Sequence, residues 1–332
     1  MSGRPAGERA SPAARVRADV VHSLDAVAQF VTRRTGAADR RRVVLCYHSV
    51  HPSAPFASAS PAVFADHLDW LTDNCDVVPL TDLRDAAAAQ RPRVAITFDD
   101  GYLDNFVHAF PLLAARGLSA TFFLTAGLVE RDPAVIAGMA KLWGCAIDDV
   151  EPLGWEQARE MAASGMDFGS HTWSHGNLAL MHPARATCEL RIAKDCLEQR
   201  LGRTIDSVAY PFGRVHVHVT EDTIASARAA GHTLGVVTLP RAVRRSDDAL
   251  RLPRLVVGDD DVTALARKVL GAIDWHATIH ERTPTRPRAA STPEIAVPVA
   301  TAASSPLVED PRPLVSVIVT TFNYAHFLPT AI

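Results

Sequence analysis

Two stretches of the sequence place metal-ligating and proton-transferring side chains at close spacing. In "VAITFDDGYLDNF", Val94 to Phe106, the carboxylates Asp99 and Asp100 follow directly on an apolar run. Adjacent like charges repel, and burial sharpens the conflict. In "GSHTWSHGN", His171 and His175 are four residues apart, the spacing of two ligands on one turn of backbone. Imidazole together with carboxylate suits zinc and similar divalent cations. One Asp with two His leaves a coordination position for water or substrate, as in catalytic rather than structural sites. An HxxxH by itself is a weak signal among 14 histidines, and an Asp-Asp-Gly by itself is an ordinary turn. Both gain weight because each follows an expected strand, as does a third polar punctuation, "AYPFG".

The elements around these stretches alternate. "VVLCYHSV" (43–50), the apolar run ending at Phe98, "LSATFFLTAG", "MDFGSH", "IDSVAYPFG", "HTLGVVT" and "LRLPRLVV" read as strands. Helices are expected between them. "SPAVFADHLDWLTDN" has Ser60 as N-cap and Pro61 at the first helical position. "LDNFVHAFPLLAARG" carries Pro111 as a kink or break and ends at Gly117. "WEQAREMAASG" ends at Gly165, "ARATCELRIAKDCLEQRLG" at Gly202, and "TEDTIASARAAG" starts from Thr220 as N-cap. Repeated strand–helix units imply a parallel sheet, open or closed into a barrel. Loops after the strands then form the active-site face. Because successive strand residues point opposite ways, Asp99 and Asp100 can do different jobs.

The chain has 332 residues, is 48% hydrophobic and 21% charged, and so has material for a globular core. Its net charge of -3 gives no nucleic-acid signal and no membrane signal. Five dispersed cysteines without a CxxC pair read as free thiols of a reducing compartment. No apolar h-region and no membrane-length apolar run is visible, so a cytoplasmic protein, at most peripheral to a membrane, is expected. Residues 1–42 read as an extension with an amphipathic helix over 16–34, residues 43–275 as the main domain, and 276–313 as a proline-rich linker. Residues 314–332 begin with an apolar strand, Val315 to Val319, that cannot bury itself alone. A docked strand or a second domain cut short are the two expectations.

Taken together, "LCYHSV", "TFDDGYLDNF", "LSATFFLTAG", "SHTWSH", "AYPFGR" and "LRLPRLVV" resemble the polysaccharide deacetylase family, also called the NodB-homology domain, over about residues 43–257. The resemblance implies a distorted (β/α) barrel with fewer than eight strands. It implies that Asp100, His171 and His175 hold a divalent metal, zinc by default, and that Asp99 is the general base acting on a metal-activated water. The cation would then make the adjacent acids tolerable. It implies that the N–H of Phe212, after Pro211, faces the oxyanion. Tyr210 and Pro211 are candidate substrate-binding residues, and His48, which follows the first strand, either lines the pocket with them or is a satisfied structural histidine. The implied substrate is an N-acetylated carbohydrate, with acetate and an amine as products.

The sequence departs from the family pattern in two places. The arginine often found two residues before the proline of the third motif is Ala209 here, and Arg254 is the candidate to replace it. The late histidine that acts as general acid has no clear copy; His216, His218 and His232 are candidates, each more simply read as a surface histidine. Trp143 and Trp155 could stack on sugars or pack at the core rim. The tail, "VSVIVTTFNYAHFLPTAI", resembles the opening of a GT-A-type, family-two-like glycosyltransferase, which implies a bifunctional protein. O-acetyl ester or cyclic-amide hydrolysis on the same fold, and a non-catalytic sugar-binding module, are the alternatives.

Overall fold

The computed structural model describes residues 41–53, 58–84, 91–274 and 277. The expected N-terminal helix, the linker beyond Ala277 and the segment 314–332 lie outside the described residues. Seven parallel strands make the frame: β1 (Arg42–Tyr47), β2 (Arg93–Phe98), β3 (Thr121–Leu124), β4 (Asp167–Ser170), β5 (Ser207–Arg214), β6 (Leu234–Thr238) and β7 (Leu252–Val256). β1 pairs with β7 on one side and with β2 on the other, in register Val43↔Val94 to Tyr47↔Phe98. Each remaining strand pairs with its sequence neighbour, so the sheet closes on itself as the expected barrel.

Alternation along the strands divides the side chains into two layers. Val44, Ala95, Phe123, Ala209, Val236 and Leu252 form one buried cluster inside the barrel. Val43, Leu45, Tyr47, Ile96, Phe98 and Phe122 join a larger cluster with residues of the surrounding helices, among them Phe64 and Leu68. The rings of Phe98 and Phe122 stack at 4.7 Å.

The helical layer includes α1 (Pro61–Asn74), α2 (Phe110–Ala114), α3 (Ala126–Val129), α4 (Pro133–Trp143), α5 (Trp155–Ala163), α6 (Pro183–Leu201), α7 (Glu221–Ala229) and α8 (Val262–Val269). As expected, the Ser60 side chain caps α1 by accepting from Val63 N. The helix expected over 103–117 is interrupted. A wide turn over Asn105–Ala109, with Phe110 N donating to Asn105 O, precedes the short α2. Pro111 has no N–H to continue a ladder, which accounts for the change of pitch. The sequence reading did not include α4, although Asp132 as N-cap, Pro133 and Gly144 mark its two ends.

Candidate metal and catalytic site

The C-terminal ends of the strands carry the polar residues. β2 runs out at Phe98, but Asp99 N still donates to Tyr47 O at 3.0 Å, so Asp99 keeps the strand's alternation and points inward with Thr97. Asp100 then turns into the left-handed region, φ 74°, which aims its carboxylate away from that of Asp99. After β4, His171 N donates to Leu124 O and the chain enters an irregular loop rather than a helical turn. Thr172 (φ 66°) and His175 (φ 58°) are both left-handed, and this is how residues four apart come to face one point.

That loop is held from two sides. Ala126 N and Gly127 N donate to the carbonyls of Thr172 and Trp173. A Cβ on Gly127 would sit 2.7 Å from the Trp173 oxygen, so only glycine permits the approach. From α6, the buried Glu189 carboxylate accepts from Trp173 N (3.2 Å), Ser174 N (3.1 Å) and Ser174 Oγ (2.8 Å). Burial raises the Glu189 pKa, and these donors oppose the rise. Sequence reasoning missed Glu189. Its position on the buried stripe of Ala186, Leu190, Ala193 and Leu197 was the available signal, since an acid on an apolar helix face needs partners.

Asp100, His171 and His175 converge. Asp100 Oδ1 lies 3.4 Å from His171 Nε2 and 3.3 Å from His175 Nε2, and all three side chains are buried. Neither Asp100 oxygen has a hydrogen bond of normal geometry. His171 Nδ1 donates to Ala209 O at 2.7 Å, which leaves Nε2 as the lone-pair nitrogen facing Asp100. A buried carboxylate without a well-formed hydrogen bond, facing two imidazole nitrogens at 3.3 and 3.4 Å, is a set of potential metal ligands directed at one point. It fits a divalent cation of the zinc class, which would relieve the desolvation of all three.

Burial would raise the Asp100 pKa, but His171 and His175 hold it well below the usual range. Burial lowers the His175 pKa; for His171 the opposing carboxylates outweigh burial and raise it.

Asp99 has a different partner. Arg254, on β7 and 1% exposed, donates from both Nη atoms to the two Asp99 oxygens, each at 2.7 Å, and Nη1 also reaches Thr97 Oγ1. Burial alone would raise the Asp99 pKa; Arg254 and His171 outweigh it and hold the carboxyl at about 2. The structure thus brings Arg254 to the acid, while the Ala209 carbonyl orients His171.

His48, half-buried, lies with Cys46 and Asp99 in a group whose ligand atoms are all within 4.8 Å of one another. Its loop is fixed by Asn105 Nδ2, which donates to His48 O, and by Asp104, which accepts from Ser49 Oγ and Val50 N. Burial lifts the Asp104 pKa to about 6 against those donors.

The other expected site residues are divided. Phe212 takes a left-handed φ of 62° where the β5–β6 register is broken, and its ring packs on His175. A cavity of about 490 Å³ runs from Phe212 past His218 and Lys268 to Arg254. Pro211 is buried within β5. The Tyr210 side chain does not meet the expectation of lining the pocket. Strand alternation turns it outward into the cluster with Leu190 and Ile224, where its hydroxyl donates to Leu250 O. His232 precedes β6, at the opposite end of the barrel, and is remote from this chemistry. His216 lies in the loop after β5, where its N–H donates to Val219 O. Trp143 donates to Tyr102 OH and stands 6.1 Å from the His48 ring, whereas Trp155 packs on the core beneath Arg200.

Residues 86–235 match the model of the family described as polysaccharide deacetylase. Over 207 residues the chain is 30% identical to YxkH of Bacillus subtilis, covering 61% of this chain and 66% of that protein. Over 142 residues it is 28% identical to the poly-beta-1,6-N-acetyl-D-glucosamine N-deacetylase of Escherichia coli, covering 40% of this chain and 20% of that one. The chain therefore spans two thirds or less of these curated relatives. The solved structure of IcaB from Ammonifex degensii is 30% identical, superimposes with a TM-score of 0.55, and is matched over 69% of this chain and 97% of that one. With the closed seven-strand barrel and the acid and histidine pairs at its strand ends, the chain belongs to the polysaccharide deacetylase family.

Proposed function

We propose that the chain is a metal-dependent hydrolase that removes N-acetyl groups from N-acetylhexosamine units of a glycan or glycan intermediate. The observation that carries this reading is the buried triangle of Asp100, His171 and His175 beside an Asp99 clamped by Arg254. Similarity to an Escherichia coli protein named as an N-deacetylase of an N-acetylglucosamine polymer supports the substrate class.

Asp100, His171 and His175 would hold the cation, with zinc favoured by the ligand set. When bound, such a cation polarises an amide carbonyl and makes water more acidic. Asp99 accepts the proton of the attacking water on a carboxylate oxygen. The Arg254 fork leaves each oxygen a further lone pair, so the clamp orients the acid without blocking it. The Phe212 N–H donates to the oxygen that gains charge as the carbonyl carbon becomes tetrahedral. His48, half-buried and close to Asp99, gives a proton to the departing amine. Acetate and a free amino sugar result. His48 thus takes the role for which His216, His218 and His232 were candidates.

A cytoplasmic setting and a second, glycosyltransferase activity are parts of the same proposal. The glycosyltransferase part rests on the resemblance of residues 314–332, and the cytoplasmic part on five dispersed cysteines without a CxxC pair, which suit a reducing compartment. Cell fractionation, and an assay of sugar transfer from a labelled nucleotide donor, test them.

The central test is acetate release from N-acetylglucosamine oligomers. Asp99→Asn is expected to keep the metal and lose roughly 10²–10⁴-fold in rate. His171→Ala and His175→Ala are expected to lose both metal and turnover. Full metal occupancy in these two variants by elemental analysis would sink the ligand assignment. Unchanged turnover by Asp99→Asn would remove the base from the mechanism.

A further inference from the structure

Cys46 has no part in the proposed reaction, yet it lies against the base. It is 1% exposed, and its Sγ is 3.5 Å from Asp99 Oδ2. On β1 it is paired with Thr97 of β2 and with Val256 of β7, the two strands that bring Asp99 and Arg254 together. His48 follows two residues later, where alternation returns to the same face. The sulfur, one imidazole nitrogen and one carboxylate oxygen of Cys46, His48 and Asp99 all lie within 4.8 Å of one another.

From this geometry we infer a second site for a thiophilic divalent cation, formed by Cys46, His48 and Asp99 beside the first, whose filling shuts the enzyme down. Sulfur, imidazole and carboxylate together are a donor set for zinc, cobalt or cadmium rather than magnesium or calcium. Metal–ligand bonds of about 2.0–2.3 Å place tetrahedral donors roughly 3.3–3.8 Å apart. The Cys46–Asp99 separation already falls in that range, and the half-buried His48 supplies both the third donor and the solvent-facing side.

Two features make the second site the weaker one. Arg254 already neutralises Asp99 through two hydrogen bonds, and a cation in the first site would repel another one residue away. Binding forms a metal–sulfur bond and releases the thiol proton to solvent; no oxidation state changes. The inhibitory consequence rests on the deacetylase reading, because occupancy takes a lone pair of the base and that of His48. The binding itself does not depend on that reading.

The test uses the full chain stripped of metal and titrated with Co²⁺ alone. Two equivalents are expected. The first has only oxygen and nitrogen ligands, and the second brings a thiolate-to-cobalt charge-transfer band in the near ultraviolet. Cys46→Ser, with Cys46→Ala as a second variant should serine disturb the fold, is expected to keep the first equivalent and lose the band. His175→Ala is expected to lose the first equivalent and keep the band. A wild-type titration that saturates without the band overturns the inference. So does a band that survives in both Cys46 variants, which would place it on Cys75, Cys145, Cys188 or Cys196. A band without the first equivalent would sink the Asp100–His171–His175 assignment and leave the second site standing. With zinc, wild-type turnover is expected to fall roughly tenfold or more as the second equivalent fills, and Cys46→Ser to resist. Full turnover with the second equivalent bound overturns the inhibitory role.

Discussion

At the C-terminal ends of the strands, left-handed backbone is adopted by Asp100, Thr172, His175 and Phe212, with φ of 74°, 66°, 58° and 62°. At the other end of the same barrel, where helices turn back into strands, that conformation is taken by glycines. Gly165 (φ 90°) precedes β4 and Gly202 (φ 64°) precedes β5. A side chain there costs about 1–2 kcal/mol per residue, and glycine avoids the cost. One end is built to connect elements, whereas the other accepts strain to aim side chains.

Buried histidines show the same contrast. His171 faces two carboxylates, which raise its pKa against burial. His232, at the opposite end, has burial and then Lys194 acting together, and its pKa falls to about 4. Burial is common to both, so the neighbouring charge decides the sign.

Ion pairs give the largest expected effect. Asp99 and Arg254 have side chains 4% and 1% exposed; Asp167 and Arg203, at the other end, are 29% and 39% exposed. Removing one partner of a buried pair leaves an uncompensated charge, which costs about 3–5 kcal/mol. Arg254→Met is therefore expected to lower unfolding free energy by that amount in urea titration. Arg203→Met should cost less than about 1 kcal/mol. Equal losses in the two variants would erase the distinction between the ends.

His232 sharpens the contrast through pH. Its folded-state pKa is lowered, so between about 6.5 and 4 the unfolded chain binds a proton that the folded chain does not. The stability held above pH 6.5 is lost as pH falls, by roughly 2–3 kcal/mol at pH 4.5. His232→Gln should flatten this slope relative to wild type while leaving acetate release at neutral pH intact. Parallel slopes for the two proteins would show that His232 is not held neutral by its surroundings.

Much of the site was legible because its chemistry sits where the strand pattern stops. Asp99, Asp100, His171 and His175 follow apolar runs, and Arg254 interrupts one, so each stands out locally. What was hidden depends on long-range contact. Glu189 is one acid in a long helix until α6 is docked and its carboxylate meets the 173–174 amides. The histidine spacing suggested a helical turn, but hydrogen bonds to α3 and Glu189 impose a loop with two left-handed residues. Tyr210 stands beside Pro211 in sequence yet faces the helices, because the strand alternates before its register breaks.

Glu189 offers a smaller effect on the strained end. Glu189→Gln keeps the shape but turns an amide N–H₂ toward backbone donors, so the loop bearing His171 and His175 loosens. No ligand is lost, and metal affinity should fall about 10–100-fold, as for other groups that orient ligands. Competition with a chelating dye measures this. Unchanged affinity would show that the loop keeps its left-handed geometry without the carboxylate.

The smallest effect is expected at the glycine end, at Gly202. This residue closes α6, with its N–H donating to Glu198 O at 2.8 Å, and a Cβ there would meet nothing within 4 Å. Gly202→Ala therefore carries no steric term beyond the left-handed φ, about 1–2 kcal/mol of stability. Since α6 also carries Glu189 toward its other end, this variant asks whether the two ends of the barrel are energetically separate. Separate ends predict a lower urea midpoint with metal affinity and acetate release at wild-type values. A parallel fall in metal affinity would mean that α6 transmits strain along its length, and that the connecting end of the barrel helps to hold the loop at the working end.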